Sequence, residues 1–138
     1  MIKEIVKDAD ALSVPAEAAT AEDAQVAEDL RDTMLANDGC ACLAANQIGS
    51  TKAVIAYEED GRIHAMYNPR IVASMQPFKT VESCLSHDEP SEVKRFNLVR
   101  VTYQVLADGK LVERTKKFSG WTAEIIQHAI DHCAGKLV

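Results

Sequence analysis

The 138-residue sequence predicts an α+β fold, and three observations support this class. A helical pattern lies in the first third of the chain, alternating apolar and polar runs fill the middle, and a second helical pattern lies near the end. The alternating runs come in pairs joined by short turns, which is typical of antiparallel hairpins. We therefore expect a single domain over residues 1–138, with antiparallel strands between two helices.

The first predicted helix lies in residues 19–39. Thr20 is its predicted N-cap, and Asp23 takes the position that completes a capping box. Apolar residues recur at four-residue spacing: Val26, Leu30 and Met34. The run Asn37-Asp38-Gly39 is a typical helix stop, so one face of this helix should cover the core.

Two hairpins are predicted after this helix. The first pairs "TKAVIAY" with "RIHAMYNP" through the turn "EEDG", and Pro69 is expected to end its second strand. The second pairs "NLVRVTYQVL" with "KLVERTKKF" through Asp108-Gly109, a strong tight-turn signal. One face should be buried, formed by the alternating residues Val99, Val101, Tyr103 and Val105. Between the hairpins, "SHDEPSEVKR" is predicted to be an irregular loop.

The last predicted helix covers about residues 121–133, and Gly135 is a plausible C′ stop. We expect its Ile126 and Ile130 side to pack against sheet and its histidine face to line a cleft.

Composition excludes several classes of function. Fifteen basic against 21 acidic side chains give a net charge of −6, which argues against a nucleic-acid partner because phosphate binding depends on Lys and Arg. The chain lacks an apolar run of the length that a membrane span needs, and its N-terminus lacks the features of a signal peptide. A cytoplasmic protein is therefore expected, with its four cysteines as thiols or metal ligands.

Two histidines four positions apart suggest a metal site on the last helix. His128 and His132 lie about 40° apart on one helical face, so both rings can reach one ion. The metallohydrolase pattern H-E-x-x-H places its general base after the first histidine, but this chain has Ala129 there. Taken alone, the pair could also be an ordinary solvated or core face, which is the weaker of the two interpretations.

Three segments together resemble the signature motifs of peptide deformylases, in the same order along the chain. These segments are "CACLAANQ" at residues 40–47, "ESCLS" at 82–86 and "QHAIDH" at 127–132. In that family the motifs read G-x-G-aliphatic-A-A-x-Q, E-G-C-L-S and Q-H-E-x-D-H. The resemblance spans most of the chain and includes the short C-terminal end of some Gram-positive-type members.

The resemblance implies a fold of antiparallel β-sheets packed around a central C-terminal metal-binding helix. It also implies an enzyme that removes the formyl group from N-formylmethionyl polypeptides. The resemblance further implies that this enzyme can act on its substrates at the ribosome. Cys84, His128 and His132 would hold one divalent metal, with water as the fourth ligand. This donor set suits Fe²⁺ or Zn²⁺, and Ni²⁺ or Co²⁺ may substitute.

By the same resemblance, the Gln47 side chain and the Leu85 backbone N–H would donate to the oxygen that becomes negative during hydrolysis. Glu82 would fix the direction of the segment that bears the ligand. The alternatives are a surface amide at Gln47 that caps the turn before Gly49, and an exposed strand charge at Glu82.

Three residues of this chain depart from the family motifs, at positions that the resemblance places along the groove that binds the peptide. Cys40 and Cys42 replace both glycines of the first motif, and Ser83 replaces the glycine of the second. We expect Cys42, Leu43 and Ser83 to contact the substrate, and we expect the side chain of Cys42 to narrow the peptide-binding groove. A second metal at the C-x-C pair is an alternative, but small buried cysteines more often pack as hydrophobes.

Ala129 is the gravest departure, because no group at that position can carry a proton to the leaving amine. Asp131 projects from another side of the helix and is a poor substitute. We therefore expect this protein to hydrolyse its substrate slowly. Two origins of Ala129 remain open: the protein is a natural relative that has lost turnover, or its general base was replaced in order to trap a substrate. Two alternatives remain: a catalytically silent protein that binds metal and peptide, and a structural metal site closed by Cys133 or His87.

Overall fold

Five β-strands and three α-helices form the fold, in a computed structural model that describes residues 1–138. The helices are α1 (Ala9–Leu12), α2 (Ala24–Ala36) and α3 (Gly120–Cys133). The strands are β1 (Cys42–Ala44), β2 (Val54–Glu59), β3 (Arg62–Glu82), β4 (Ser91–Ala107) and β5 (Lys110–Ser119). Short 3-10 helices cover Ala21–Asp23 and Ala45–Ile48. None of the helices is long and apolar enough to cross a membrane.

All five strands belong to one antiparallel sheet in the order β1-β2-β3-β4-β5. The predicted α+β class is therefore confirmed, and each predicted hairpin is a pair of neighbouring strands. Asp108 and Gly109 join β4 to β5 with φ angles of 51° and 77°, the left-handed conformation that a tight hairpin turn requires.

The prediction that Pro69 ends its strand is wrong, because β3 continues through it to Glu82. The register with β4 shifts between Tyr67 and Arg70, and Asn68 has a φ of 51°. A proline is tolerated at such an irregularity because its missing N–H is not needed in the ladder. The longer strand delivers Glu82 to the neighbourhood of α3.

The predicted irregular loop at residues 86–95 is also partly wrong. Residues 83–90 are irregular, but β4 begins at Ser91, which pairs with Glu82, and Lys94 pairs with Lys79. This charged stretch becomes strand because the extended β3 offers it a partner, an effect that its own composition does not show.

The two faces of the sheet build two apolar cores. Alternate residues of β2 point to opposite sides, Ile55 into the core under α3 and Val54 into the core under α2. The predicted alternation in β4 is confirmed by burial of Val99, Val101 and Tyr103.

The two long helices follow their predicted patterns. Thr20 and Asp23 form the expected capping box ahead of α2. On α3, Ile126 is fully buried and Ile130 packs at the margin of the core, as expected. The helix is thereby held against the sheet, with its histidine-bearing face turned toward the segment that follows β3.

Candidate active site

The structure brings Cys84, His128 and His132 together. One potential ligand atom from each lies within 4.8 Å of the other two, and the Nε2 atoms of the histidines are 3.1 Å apart. The histidines occupy successive turns of α3, while Cys84 lies in the irregular segment after β3. This group joins residues more than forty positions apart in the chain.

The donor set fits a divalent transition metal. Two imidazole nitrogens each about 2.0–2.1 Å from a tetrahedral ion lie roughly 3.4 Å apart, close to the separation seen between His128 and His132. Burial, and then the neighbouring His128 and His87 rings, lower the pKa of His132 to about 3, so its ring is neutral and able to bind a cation. One thiol and two imidazoles suit Zn²⁺ or Fe²⁺ and leave a position open.

Glu82 orients the first histidine. Its Oε1 lies 2.7 Å from His128 Nδ1, and this contact turns Nε2 toward Cys84 and His132. Burial raises the carboxyl pKa, but hydrogen bonds from His128 and Arg95 outweigh it and lower the pKa of Glu82 to about 2. The alternative of an exposed strand charge is excluded, because Glu82 is buried.

Arg95 completes this ionic network and was missed by the sequence analysis. Its guanidinium is buried, donates to both carboxylate oxygens of Glu82 at 2.7–3.1 Å, and reaches Asp131 of α3 at 2.5 Å. It therefore links β3, β4 and α3 behind the histidines. In a charged stretch of sequence, a buried arginine looks the same as a solvated one, so no local signal identified it.

Gln47 is buried and is not a surface amide. Its Oε1 accepts from the Ala44 N–H at 3.0 Å, and its Nε2 donates to Ser86 Oγ at 3.2 Å. Ser86 follows Leu85 directly, so the Gln47 amide nitrogen lies beside the segment that bears Cys84 and Leu85. The two predicted donors to a developing oxyanion therefore come from adjacent parts of the fold.

A cavity of about 440 Å³ opens beside the metal-binding group. Its wall includes residues of all three motif segments and of α3: Cys42, Ser83, Cys84, Leu85, Glu124 and His128. Leu43 is different, because its side chain is fully buried in the core under α2 and does not line the cavity. Any contact between Leu43 and a peptide would have to use its backbone.

The remaining candidate ligands stay outside the group. The His87 ring centroid is 6.3 Å from that of His132, and Cys133 packs at the margin of the core. Cys40 and Cys42 are partly buried against the two cores, and no second group of three metal-binding side chains accompanies them. A closed structural site and a second metal site therefore have no geometric support.

Ala129 is fully buried and packs in the same apolar core as Ile125 and Ile126. It is one residue from His128 and three from His132, so its position is next to the metal-binding group without offering it a polar atom. The fold and the group together define an α+β protein in which three side chains that could hold a metal ion lie at the edge of a cavity, an arrangement typical of metal-dependent hydrolases.

Comparisons with known proteins identify the family. The polypeptide deformylase family profile matches residues 2–138. A peptide deformylase of Clostridium beijerinckii is 40% identical over 139 residues, which cover 100% of both chains, and one from a Wolbachia endosymbiont of Brugia malayi is 34% identical over 82% of this chain and 69% of its own. The chain belongs to the peptide deformylase family, whose members are metal-dependent hydrolases.

Solved structures agree with this assignment. The class I type b peptide deformylase of Acinetobacter baumannii, solved with Met-Ala-Ser bound, is 27% identical, with a TM-score of 0.87 over 99% of this chain and 97% of its own. The peptide deformylase of Thermus thermophilus is 30% identical, with a TM-score of 0.85 over 99% of this chain and 83% of its own. The fold is therefore that of the solved peptide deformylases.

Proposed function

We propose that this protein removes the formyl group from N-formylmethionyl polypeptides, with a divalent metal held by Cys84, His128 and His132. The convergence of these three side chains at the edge of a peptide-sized cavity is the observation that supports the proposal most strongly. The Acinetobacter relative binds Met-Ala-Ser, a peptide with the sequence of a deformylated N-terminus. We place the reaction in the cytoplasm, on chains that emerge from the ribosome.

The metal, Fe²⁺ or Zn²⁺ with Ni²⁺ or Co²⁺ as substitutes, would supply Lewis acidity that activates water and polarises the formyl carbonyl. Glu82 holds the His128 ring with Nε2 on the side of His132, where it would bind the ion, and Arg95 keeps Glu82 anionic. Because His132 has a strongly lowered pKa, its ring offers a lone pair across the neutral pH range.

Two N–H donors would stabilise the negative oxygen of the tetrahedral intermediate. Gln47 Nε2 has two hydrogens, and its bond to Ser86 Oγ holds the amide beside the segment that contains Leu85. Donors that are already in place stabilise a developing charge without reorganisation, and one such donor typically contributes about 10² to 10³ in rate.

The peptide would bind along the cavity and the edge of the sheet. β1 pairs only with β2, so its other side is free to accept an extended peptide as an added strand. The Leu43 backbone, with its side chain anchored in the core, lies on this edge. Cys42 and Ser83 would then contact the substrate from the cavity wall.

Ala129 supports a second candidate function, a catalytically silent protein that binds metal and N-terminal peptides. Its methyl group is buried in the core and can transfer no proton. The two functions share every other feature of the site, so turnover distinguishes them.

The test is hydrolysis of a formyl-methionyl peptide by protein loaded separately with Fe²⁺ under anaerobic conditions and with Zn²⁺. We expect about one metal per chain and turnover that is slow but above the metal-free background. Cys84→Ala should lose both metal and turnover, whereas Cys133→Ala, outside the group, should keep both. Undiminished metal binding by Cys84→Ala would refute the ligand assignment. A metal-replete parent that binds peptide without turnover would favour the silent protein.

A further inference from the structure

Five exposed basic side chains on β3, β4 and β5 have no role in the candidate active site. They are Arg70, Lys79, Lys94, Arg100 and Lys117, and we call them the basic face. None of the five makes an ion pair within the protein. Their charges are therefore available to a partner.

The register of the sheet places four of these cations in two pairs. Lys79 lies directly opposite Lys94 across β3 and β4, and Arg100 lies directly opposite Lys117 across β4 and β5. The Cβ atoms of opposite residues are about 4.5–5.5 Å apart, and like charges at such positions are destabilising. The fold therefore keeps two unfavourable pairs, which an anion bound between the cations would turn into favourable contacts.

The two pairs lie on one side of the sheet. Lys94, Leu98 and Arg100 are separated by even numbers of residues along β4, so strand alternation directs all three to the same face. Met75 lies opposite Leu98, between the two pairs. These two apolar residues line a depression of about 200 Å³ together with Arg100 and Lys117. At about 3.3 Å per residue, the two cation pairs are roughly 20 Å apart.

Carboxylates are absent from this part of the sheet. On the side of the basic face, the residues of β4 from Lys94 to Thr102 and their partners on β3 and β5 include no Asp or Glu. The acids that follow on this side, Glu92 and Glu113, lie beyond the two ends. The net charge of −6 argues against a nucleic-acid partner for the chain as a whole, but phosphate binding depends on the local arrangement of cations.

RNA is the anion that this arrangement fits best. A small free anion would occupy only one of the two cation pairs, because they are roughly 20 Å apart. Single-stranded RNA carries a row of phosphates, and its bases and sugars can pack on side chains such as Met75 and Leu98. A membrane surface is less suitable, since Met75, at 62% exposure, is the one large apolar side chain between the pairs that is mostly exposed.

The basic face begins beside the cavity of the candidate active site. Val81, two residues after Lys79 on β3, belongs to the cavity wall. Two residues of strand span about 7 Å, so RNA held by Lys79 and Lys94 would lie next to the cavity entrance.

We propose that the basic face binds the phosphate backbone of single-stranded RNA and thereby holds the cavity beside it. The inference goes beyond the proposed function. Its test uses neither turnover nor a bound metal, so a failure of one leaves the other standing.

The test is fluorescence anisotropy of a labelled oligouridine of about 16 nucleotides. For the parent, a plot of log K against log salt should have a slope of about −3 to −4, since each neutralised phosphate of a single strand contributes about −0.7. The double variants Lys79→Ser/Lys94→Ser and Arg100→Ser/Lys117→Ser should each weaken binding about tenfold at about 50 mM salt and make the slope shallower by about 1.4.

Arg31→Ser/Lys110→Ser is the matched control. It also removes two exposed positive charges, but from α2 and from the start of β5, outside the basic face. Its affinity for oligouridine and its salt dependence should be nearly those of the parent.

Lys94→Glu separates RNA binding from folding. The new carboxylate would lie opposite Lys79, so the midpoint of urea unfolding should rise while the affinity for oligouridine falls more than about tenfold. A lysine that serves only the fold would give a lower midpoint instead.

Four results would overturn the inference. Absence of oligouridine binding by the parent at about 50 mM salt would refute it directly. Equal weakening in the control and in the double variants would show that the basic face has no special part in binding. Polyglutamate bound as tightly as oligouridine would assign the face to an acidic protein, and binding of phosphatidylglycerol vesicles without oligouridine would assign it to a membrane.

Discussion

Ala129 separates this chain from an ordinary metallohydrolase at the scale of one side chain. The residue is fully buried in the apolar core and follows His128 directly on α3. The methyl group adds to packing, but it removes a proton carrier from the place where the H-E-x-x-H pattern puts one.

Ala129→Glu should therefore raise the rate of deformylation of a formyl-methionyl peptide. General acid–base groups contribute about 10² to 10⁴ in rate, and the gain should fall in that range. Metal content should stay the same, because the new carboxylate acts on water and not as a ligand. Steady-state kinetics with parent and variant loaded with the same metal would measure the effect.

Ala129→Gln is the matched control, because it adds nearly the same volume without a titratable group. It should show no gain in turnover. If glutamine and glutamate raise the rate equally, the effect comes from reshaping of the site. If glutamate gives no gain in a folded, metal-replete protein, the silent binding function becomes the better account.

At the scale of elements, Gly135 ends α3 shortly after His132 and lies against the N-terminal segment. Gly135 has a φ of 80°, its N–H donates to the His132 carbonyl at 3.0 Å, and Lys136 N–H donates to Asp131 O at 3.0 Å. An added Cβ at Gly135 would lie 2.5 Å from the backbone oxygen of Ser13. The glycine thus allows both the helix end and its close contact with the N-terminal segment.

Gly135→Ala should be more destabilising than Gly109→Ala. Both residues have a left-handed φ, but an added Cβ at Gly109 meets nothing within 4 Å. The left-handed conformation costs about 1–2 kcal/mol in each variant, and steric overlap should add about 1–3 kcal/mol at Gly135 alone. Urea unfolding of both variants measures the difference. Equal losses of stability would show that the contact with Ser13 relaxes freely.

For the whole molecule, the buried ionisable groups predict a pH optimum of stability for the metal-free protein. Burial lowers the pKa of His132 to about 3, so its contribution is present above about pH 6.5 and is lost as the pH falls toward 3. Glu82, with a pKa of about 2, adds a loss on the acid side below about pH 4.5. Burial favours neutral His128, but hydrogen bonds with Cys84 and Glu82 raise its pKa to about 8.

The contribution of His128 is therefore present below about pH 6.5 and is lost as the pH rises through about 8. The free energy of unfolding of the metal-free protein should be highest near pH 6.5 and fall by about 1–2 kcal/mol toward pH 8. Denaturant unfolding across this range is the measurement. Bound Zn²⁺ should abolish the alkaline loss, since the ion keeps both rings deprotonated. A metal-free protein that gains stability from pH 6.5 to 8 would contradict the assignment.

The sequence by itself determined the α+β class, the capped helix α2, the Asp108-Gly109 hairpin and the pairing of the two histidines, while Cys84 was added to them only through the resemblance to the family motifs. Capping, alternation and tight-turn chemistry are local, and the histidine spacing acts within one helix. The peptide deformylase family was also identifiable from three short motifs.

Only the tertiary structure decided the features that depend on distant pairing. β3 passes Pro69 because β4 offers it a continuous partner, and Ser91–Arg95 becomes strand for the same reason. Arg95 acquires its role because strand and helix packing brings it to Glu82 and Asp131. The sequence does not show whether a charged residue is exposed to solvent or belongs to a buried network of ion pairs. Its pKa and hydrogen-bond partners are set by neighbours far away in the chain, which local patterns cannot show.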